Sequence, residues 1–155
     1  MSRTSVEDPL KVFRFVVEIN GMAKAGFMEC SGLERTSDVT EYREGGDNST
    51  PRKSPGLSKF SDITLKRGQV MDEGQNDLYN WSQEVFDVES LGVDVRDFRR
   101  DVDIVVFERG GLEAIRWRVH NAFPSRFKTP DMNATSSDDA IEEMVLTYEG
   151  FQKVV

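Results

Sequence analysis

The sequence predicts a mainly β domain with one α-helix, and three observations carry that reading. Apolar and polar residues alternate through several short runs, which is the period of half-buried strands. Turn dipeptides, Asn20-Gly21 and Gly110-Gly111, punctuate those runs. One stretch alone, residues 72–88, carries apolar side chains at the i, i+3, i+7 spacing of a helix.

In chain order, residues 12–20 come first. Phe13, Phe15, Val17 and Ile19 form the apolar face of a strand, and the Asn20-Gly21 turn should return it along residues 23–30 as a hairpin. Residues 34–43, rich in Thr, Val and Tyr, read as a third strand, and residues 63–67 as a fourth with Ile63 and Leu65 on one face. In the helix, Leu78, Trp81 and Val85 make the stripe with Phe86 beside them, and Asp72 is the expected N-cap with Glu73 following. Strand period returns from residue 100: Val102, Ile104 and Val106 form one face. After Gly110-Gly111, Ile115, Trp117 and Val119 oppose Arg116, Arg118 and His120. Residues 123–128 extend that strand and residues 129–139 form a polar loop. Residues 140–151 suit either a helix or a strand, and Val145, Thr147 and Tyr148 favour the strand.

Length and composition bound the rest. A chain of 155 residues fits one domain, spanning 1–155. Its 37% hydrophobic and 10% aromatic content suffices for a core. Cys30 is the only cysteine, so no internal disulfide forms and synthesis in a reducing cytoplasm is expected. The first twelve residues lack the pattern of a cleaved signal peptide, and no apolar run approaches the ~20 residues that span a bilayer. No stable membrane insertion is expected.

The formal net charge of −8 disfavours a protein that reads nucleic acid, which needs a basic face for phosphates. The charge is unevenly spread: residues 1–43 carry a net −1, residues 44–67 a net +2, and residues 68–155 a net −9. Within the basic stretch, residues 44–59 hold Gly45, Gly46, Pro51, Pro55 and Gly56, with Leu57 the one large apolar side chain. That composition predicts a long irregular loop, a length generally kept for function.

Catalytic chemistry finds no foothold. One histidine, His120, and one cysteine cannot build the usual transition-metal sites. His120 reads as a surface or interface residue and Cys30 as a buried structural thiol. The run from Gly46 to Ser54 resembles a phosphate loop only superficially, because Pro51 lacks an N–H and Arg52 stands where the second glycine belongs. The acidic pairs Asp138-Asp139 and Glu142-Glu143 point to opposite faces of a strand and read as solvated surface. No catalytic residue, cofactor or metal is expected.

Three blocks carry a family resemblance. The first runs from Asp8-Pro9-Leu10 through Phe13-Arg14-Phe15-Val16-Val17-Glu18-Ile19-Asn20-Gly21 into Gly26-Phe27-Met28-Glu29-Cys30-Ser31-Gly32-Leu33. The second runs from Glu41-Tyr42-Arg43-Glu44-Gly45-Gly46-Asp47-Asn48 through Arg52-Lys53 and Pro55-Gly56-Leu57 to Ile63-Thr64-Leu65-Lys66-Arg67-Gly68. The third includes Trp117, Asn121-Ala122-Phe123-Pro124, Pro130-Asp131-Met132-Asn133-Ala134 and Tyr148-Glu149-Gly150. On these residues the chain resembles the phage tail tube protein family, which includes the inner tubes of contractile phage tails, R-type bacteriocins and extracellular contractile injection systems. Residues 85–99 depart from the family's pattern.

The resemblance implies a β-sandwich or barrel-like protomer with a flanking helix, assembling as a hexameric ring. Stacked rings would form a hollow tube inside a contractile sheath. Implied partners are further copies of the chain, the sheath protein, baseplate and spike proteins, tube-terminating proteins, and the cargo protein or DNA in the lumen. The particle would be built in the bacterial cytoplasm and then released or kept at its host. The alternative is a tube-initiator or adaptor ring between tube and spike; a secreted hydrolase is a third, weaker option. The 44–59 segment becomes an inter-ring arm, with Glu44, Gly45, Gly46, Asp47, Asn48, Arg52, Lys53 and Lys59 as expected contacts and Arg52, Lys53 and Lys59 docking on an acidic neighbour. The acidic excess suggests a bore lined by carboxylates that repel acidic cargo.

Overall fold

A computed structural model describes residues 14–20, 26–43, 45, 50–68, 77–91 (side chains to 87), 98–132, 134–135 and 140–154. Nine strands and one helix occur among them: β1 Arg14–Ile19, β2 Glu29–Ser31, β3 Arg35–Tyr42, β4 Arg52–Phe60, β5 Ile63–Gly68, α1 Asp77–Leu91, β6 Arg100–Phe107, β7 Glu113–Lys128, β8 Ile141–Thr147 and β9 Gly150–Lys153. The expected class, mainly β with one helix, is what the chain adopts.

The alternation of β1 and β6 is mutually matched. Phe15, Val17 and Ile19 stand opposite Val106, Ile104 and Val102 in an antiparallel pair. Strand β6 then pairs with β7, putting Ile104 across from Trp117 and Val102 across from Val119. Strand β7 is sixteen residues long and belongs to both halves of the fold. Its first half pairs with β6 and β9, and its second half with β8. Beyond β8 follow β5 and β2, all antiparallel. The strand bends at Asn121, whose φ of 51° lies in the left-handed region that Asn tolerates better than most residues. Its side-chain amide donates to Glu149 at 2.7 Å and its backbone N–H donates to Asp101 at 3.1 Å. Two four-stranded layers thus share a bent ribbon, giving a sandwich that, among the described residues, does not close into a barrel.

The core lies between the layers: Val17, Ile19, Ile63, Leu65, Val102, Ile104, Val119, Ala122, Met144 and Leu146, with Leu78 and Trp81 of α1. The indole N–H of Trp81 donates to the Phe98 carbonyl at 2.7 Å, satisfying the polar edge of a fully buried ring.

Four expectations are corrected. The 12–20/23–30 hairpin does not form: β1 pairs with β6, and β2 with β5. The apolar row of β6 matches β1 over its whole length, and the Asn20 N–H donates to the Asp101 carbonyl, carrying the chain toward β6; residues 21–25 lie outside the described residues. The irregular segment 44–59 is ordered strand from Arg52 onward, because β3 supplies a partner of matching length. Pro55 is tolerated there since a two-stranded ribbon has only edge strands. Phe86 is exposed and not part of the buried stripe, being ~100° around the helix from Val85. Glu142 is buried beside Arg67 and not solvated, while Glu143 faces outward near Arg126. Helix α1 is described from Asp77; the expected cap at Asp72 and Glu73 lies outside the described residues, as do Asp138 and Asp139.

Candidate assembly surface

Among the described residues, strands β3 and β4 pair only with each other, forming a two-stranded ribbon apart from the main sheet. Every residue of β3 is exposed. Two-stranded ribbons are at best marginally stable alone in water, so such an element calls for a covering partner.

The base of the ribbon is firmly held. Phe60, its last residue, stacks edgewise on Phe151 and at a tilt on Tyr148, and Phe151 meets Trp117. The Ser61 N–H donates to the Glu34 carbonyl at 3.1 Å, and the Tyr148 hydroxyl donates to the same oxygen at 3.3 Å. Burial raises the Tyr148 phenol's pKa above its ordinary value. Gly32 precedes the ribbon with φ +94°, and a Cβ there would sit 2.2 Å from the Asp62 carbonyl oxygen. Only glycine fits.

Along the ribbon the register shifts between Ser37 and Val39, so Gly56 and Leu57 together stand opposite Asp38. This bulge decides which side chains share a face. Thr36 opposes Lys59, Thr40 opposes Ser54 and Tyr42 opposes Arg52; these pairs and Asp38 occupy one face. Lys59 lies 3.8 Å from Asp38, in keeping with that assignment. The other face carries Arg35 with Phe60, Ser37 with Ser58, Val39 with Pro55 and Glu41 with Lys53. Simple alternation would put Arg52 and Lys59, seven positions apart, on opposite faces; the bulge brings them together and leaves Lys53 on the reverse. Of the expected contacts, Gly45, Arg52, Lys53 and Lys59 are exposed on the ribbon and its tip, while Glu44, Gly46, Asp47 and Asn48 lie outside the described residues.

A second surface escaped the sequence reading. On the outer face of β1, β6 and β7, Arg116 donates to Glu18 at 2.9 Å, Asp103 at 2.8 Å and Glu113 at 2.7 Å. Arg118 donates twice to Asp103, at 3.0 and 3.1 Å. Partial burial alone would raise the Asp103 pKa, but the hydrogen bonds from Arg118 and Arg116 outweigh it and hold the carboxyl below its ordinary value. The three carboxylates in turn raise Arg116 above the usual guanidinium range. The readable signal was the placing of Glu18, Asp103, Arg116 and Arg118 at the positions that alternate with the apolar rows of their strands. Elsewhere, burial pushes the Cys30 thiol up to about 11, so the half-buried side chain is a neutral, unreactive thiol at pH 7. His120 is half-buried on the outer face of β7.

Among the described residues, a sandwich with open edges, an anchored ribbon and an ion-paired face describes a surface for association. The family model described as T4-like virus tail tube protein gp19 matches residues 11–152. The chain belongs to that tail tube family. A chain in the structure of the sheath–tube complex of an extracellular contractile injection system, PVC, in the extended state, is 32% identical, with 99% of each chain covered and a TM-score of 0.76. A chain in the structure of the anti-feeding prophage tube-terminating cap is 27% identical, covering 99% of this chain and 95% of that one, with a TM-score of 0.79. Hcp1 from Flavobacterium johnsoniae shares the fold at 12% identity and a TM-score of 0.53, covering 91% of this chain and 94% of that one. No curated protein sequence gives a significant match. Among the described residues, no helix is long and apolar enough to cross a membrane.

Proposed function

We propose that this chain is the structural inner-tube subunit of a contractile injection system or contractile phage tail, its hexameric rings stacking into a hollow conduit within a sheath. The observation that carries the reading is the match of the tail tube family along residues 11–152, on a fold whose layers, among the described residues, end in open strand edges. Unpaired edges are an association hazard in a monomer, and ring closure removes them by pairing each with the next copy. The chain acts by assembling and carries no catalytic cycle of its own.

The 32% identity with a chain of the PVC sheath–tube complex, over 99% of both chains, favours an injection particle delivering protein over a DNA-delivering tail. The partners on this reading are the sheath, the baseplate and spike, a terminating ring and the cargo. The chain is made in the bacterial cytoplasm and incorporated there into the particle. A single domain spans residues 1–155, with an inter-ring arm at about 44–59 whose strand portion is β4. An adaptor ring at one end of the tube is the second reading, favoured by the 27% identity with a chain of a tube-terminating cap structure.

The saturated arginines of the outer face suit a conduit wall. Arg116 and Arg118 already satisfy carboxylates, so phosphates or acidic cargo gain little by binding there. Electron microscopy of the purified protein with its sheath and baseplate partners tests the function. Tubes of indefinite length identify the tube subunit, a single terminal ring identifies the adaptor, and a persistent monomer removes both readings.

A further inference from the structure

Two surfaces of this chain carry exposed apolar side chains with opposite charge. The first is the ribbon. Its two strands hold Arg35, Arg52, Lys53 and Lys59 against Asp38 and Glu41, a net of +2. On the face that the bulge creates, Arg52 and Lys59 flank Tyr42, Thr40 and Ser54, and Leu57 at the bulge is 78% exposed. The second is helix α1. It contains Asp77, Glu84, Asp87 and Glu89 and no basic residue. Tyr79, Gln83 and Phe86 follow one another at i, i+4 and i+7 along its solvent side, with Tyr79 51% and Phe86 56% exposed. Asp87 adjoins that stripe, accepting a hydrogen bond from Gln83 at 3.1 Å.

Tyr79 meets the Phe127 ring edgewise at 5.9 Å yet stays half exposed, and neither it nor Phe86 belongs to the buried core of a helix that buries Leu78, Trp81 and Val85 on its other side. A ribbon exposed along most of both faces likewise needs a cover. The charges say which cover fits. A carboxylate-only helix repels a second acidic helix and attracts the cationic ribbon, and apolar side chains at the centre of both surfaces would be desolvated together.

We propose that the ribbon face bearing Arg52, Lys59, Tyr42 and Leu57 docks on the Tyr79–Gln83–Phe86 stripe of α1 in a second copy of this chain. The proposal rests on the tube-subunit reading and specifies the surface that the arm meets. Arg52 and Lys59 approach the acidic helix, with Asp87 the nearest carboxylate to the stripe. The Asp38 contact of Lys59 does not oppose this, because that pair is exposed and contributes little. Lys53, on the reverse face opposite Glu41, takes no part.

Paired cysteines decide the matter. In a Cys30→Ser background, Thr40→Cys with Phe86→Cys places one thiol on the docking face and one on the helix. Val39→Cys with Phe86→Cys places the ribbon thiol on the reverse face. Each protein is assembled with its sheath and baseplate partners, checked by electron microscopy, mildly oxidised and run on a non-reducing gel. The expected result is a ladder in steps of the 17.6 kDa chain from the Thr40 pair and its loss in the Val39 pair. Visible tubes without a Thr40 ladder, or with an equal Val39 ladder, overturn the proposal and leave the tube reading standing. Failure of the unmodified protein to form any ring or tube removes the tube reading and the docking with it. A second measurement is independent of the thiols: Arg52→Glu with Lys59→Glu should shorten or abolish tubes, and adding Asp87→Lys should restore length. Unchanged tube length in the double charge reversal also overturns the docking.

Discussion

Arg67 and Glu142 face each other across β5 and β8, each only 7% exposed, with the guanidinium Nε donating to the carboxylate at 2.7 Å. They terminate the inward row of Ile63 and Leu65 against Leu146 and Met144, and the Phe27 ring lies 5.6 Å from the Arg67 guanidinium carbon. An ion pair in this position fixes which residues oppose one another, because a one-residue slip would bury a single uncompensated charge.

Breaking the pair from one side should therefore be costly. Glu142→Ala leaves the Arg67 cation buried without this carboxylate, with an expected loss of about 3–5 kcal/mol. Urea denaturation of the wild type and variant measures it. Replacing both together, Arg67→Met with Glu142→Leu, should recover most of that stability. A double variant as unstable as the single one would show that packing, and not the charge, matters here.

Gly32 makes a sharper steric prediction. A Cβ 2.2 Å from the Asp62 oxygen at φ +94° forces the backbone to move, so Gly32→Ala should destabilise by roughly 1–3 kcal/mol or more. Gly111, with φ +85° but no atom near its Cβ position, should lose less on the same change. Thermal melts of the two variants side by side test the difference.

Trp81→Ala should cost about 3–5 kcal/mol, since the ring is fully buried and the cavity would sit between helix and sheet. Trp81→Phe should cost less, chiefly by removing the donor to the Phe98 carbonyl. Equal losses would mean that the hydrogen bond, and not the ring volume, carries the site.

Asp103 predicts the acid response of the outer face. Its folded pKa lies below its ordinary value of 3.8, so its stabilisation is present above that value and disappears as pH falls through the folded pKa. The gap in melting temperature between wild type and Asp103→Asn should accordingly be full at pH 7 and shrink below about pH 4. A gap that stays constant down to pH 2 would remove the ionic account of this surface.

Much of the fold was legible because alternation is a local property. β1, β5, β6 and the first half of β7 could be read from period two, β3 and β8 from their β-favouring residue types, and Leu78, Trp81 and Val85 from period 3.6. Strand partners were less legible. Asn20-Gly21 is a strong hairpin signal, yet β1 found β6, whose nearest paired residue, Val102, lies eighty-three positions beyond Ile19, because the apolar rows matched over six pairs. Glu142 read as surface since nothing in its neighbourhood names Arg67, seventy-five positions away.

For the candidate assembly surface, the chain's order of residues determined that a basic, glycine- and proline-bearing segment interrupts an acidic β protein of the tail tube kind. Only the tertiary structure decided that half of this segment is strand, that Arg52 and Lys59 share a face while Lys53 does not, and that Arg116 gathers three carboxylates. The physical reason is that side-chain direction follows from pairing: one extra residue opposite Asp38 reverses every face beyond it, and pairing between distant strands is set by the fold as a whole.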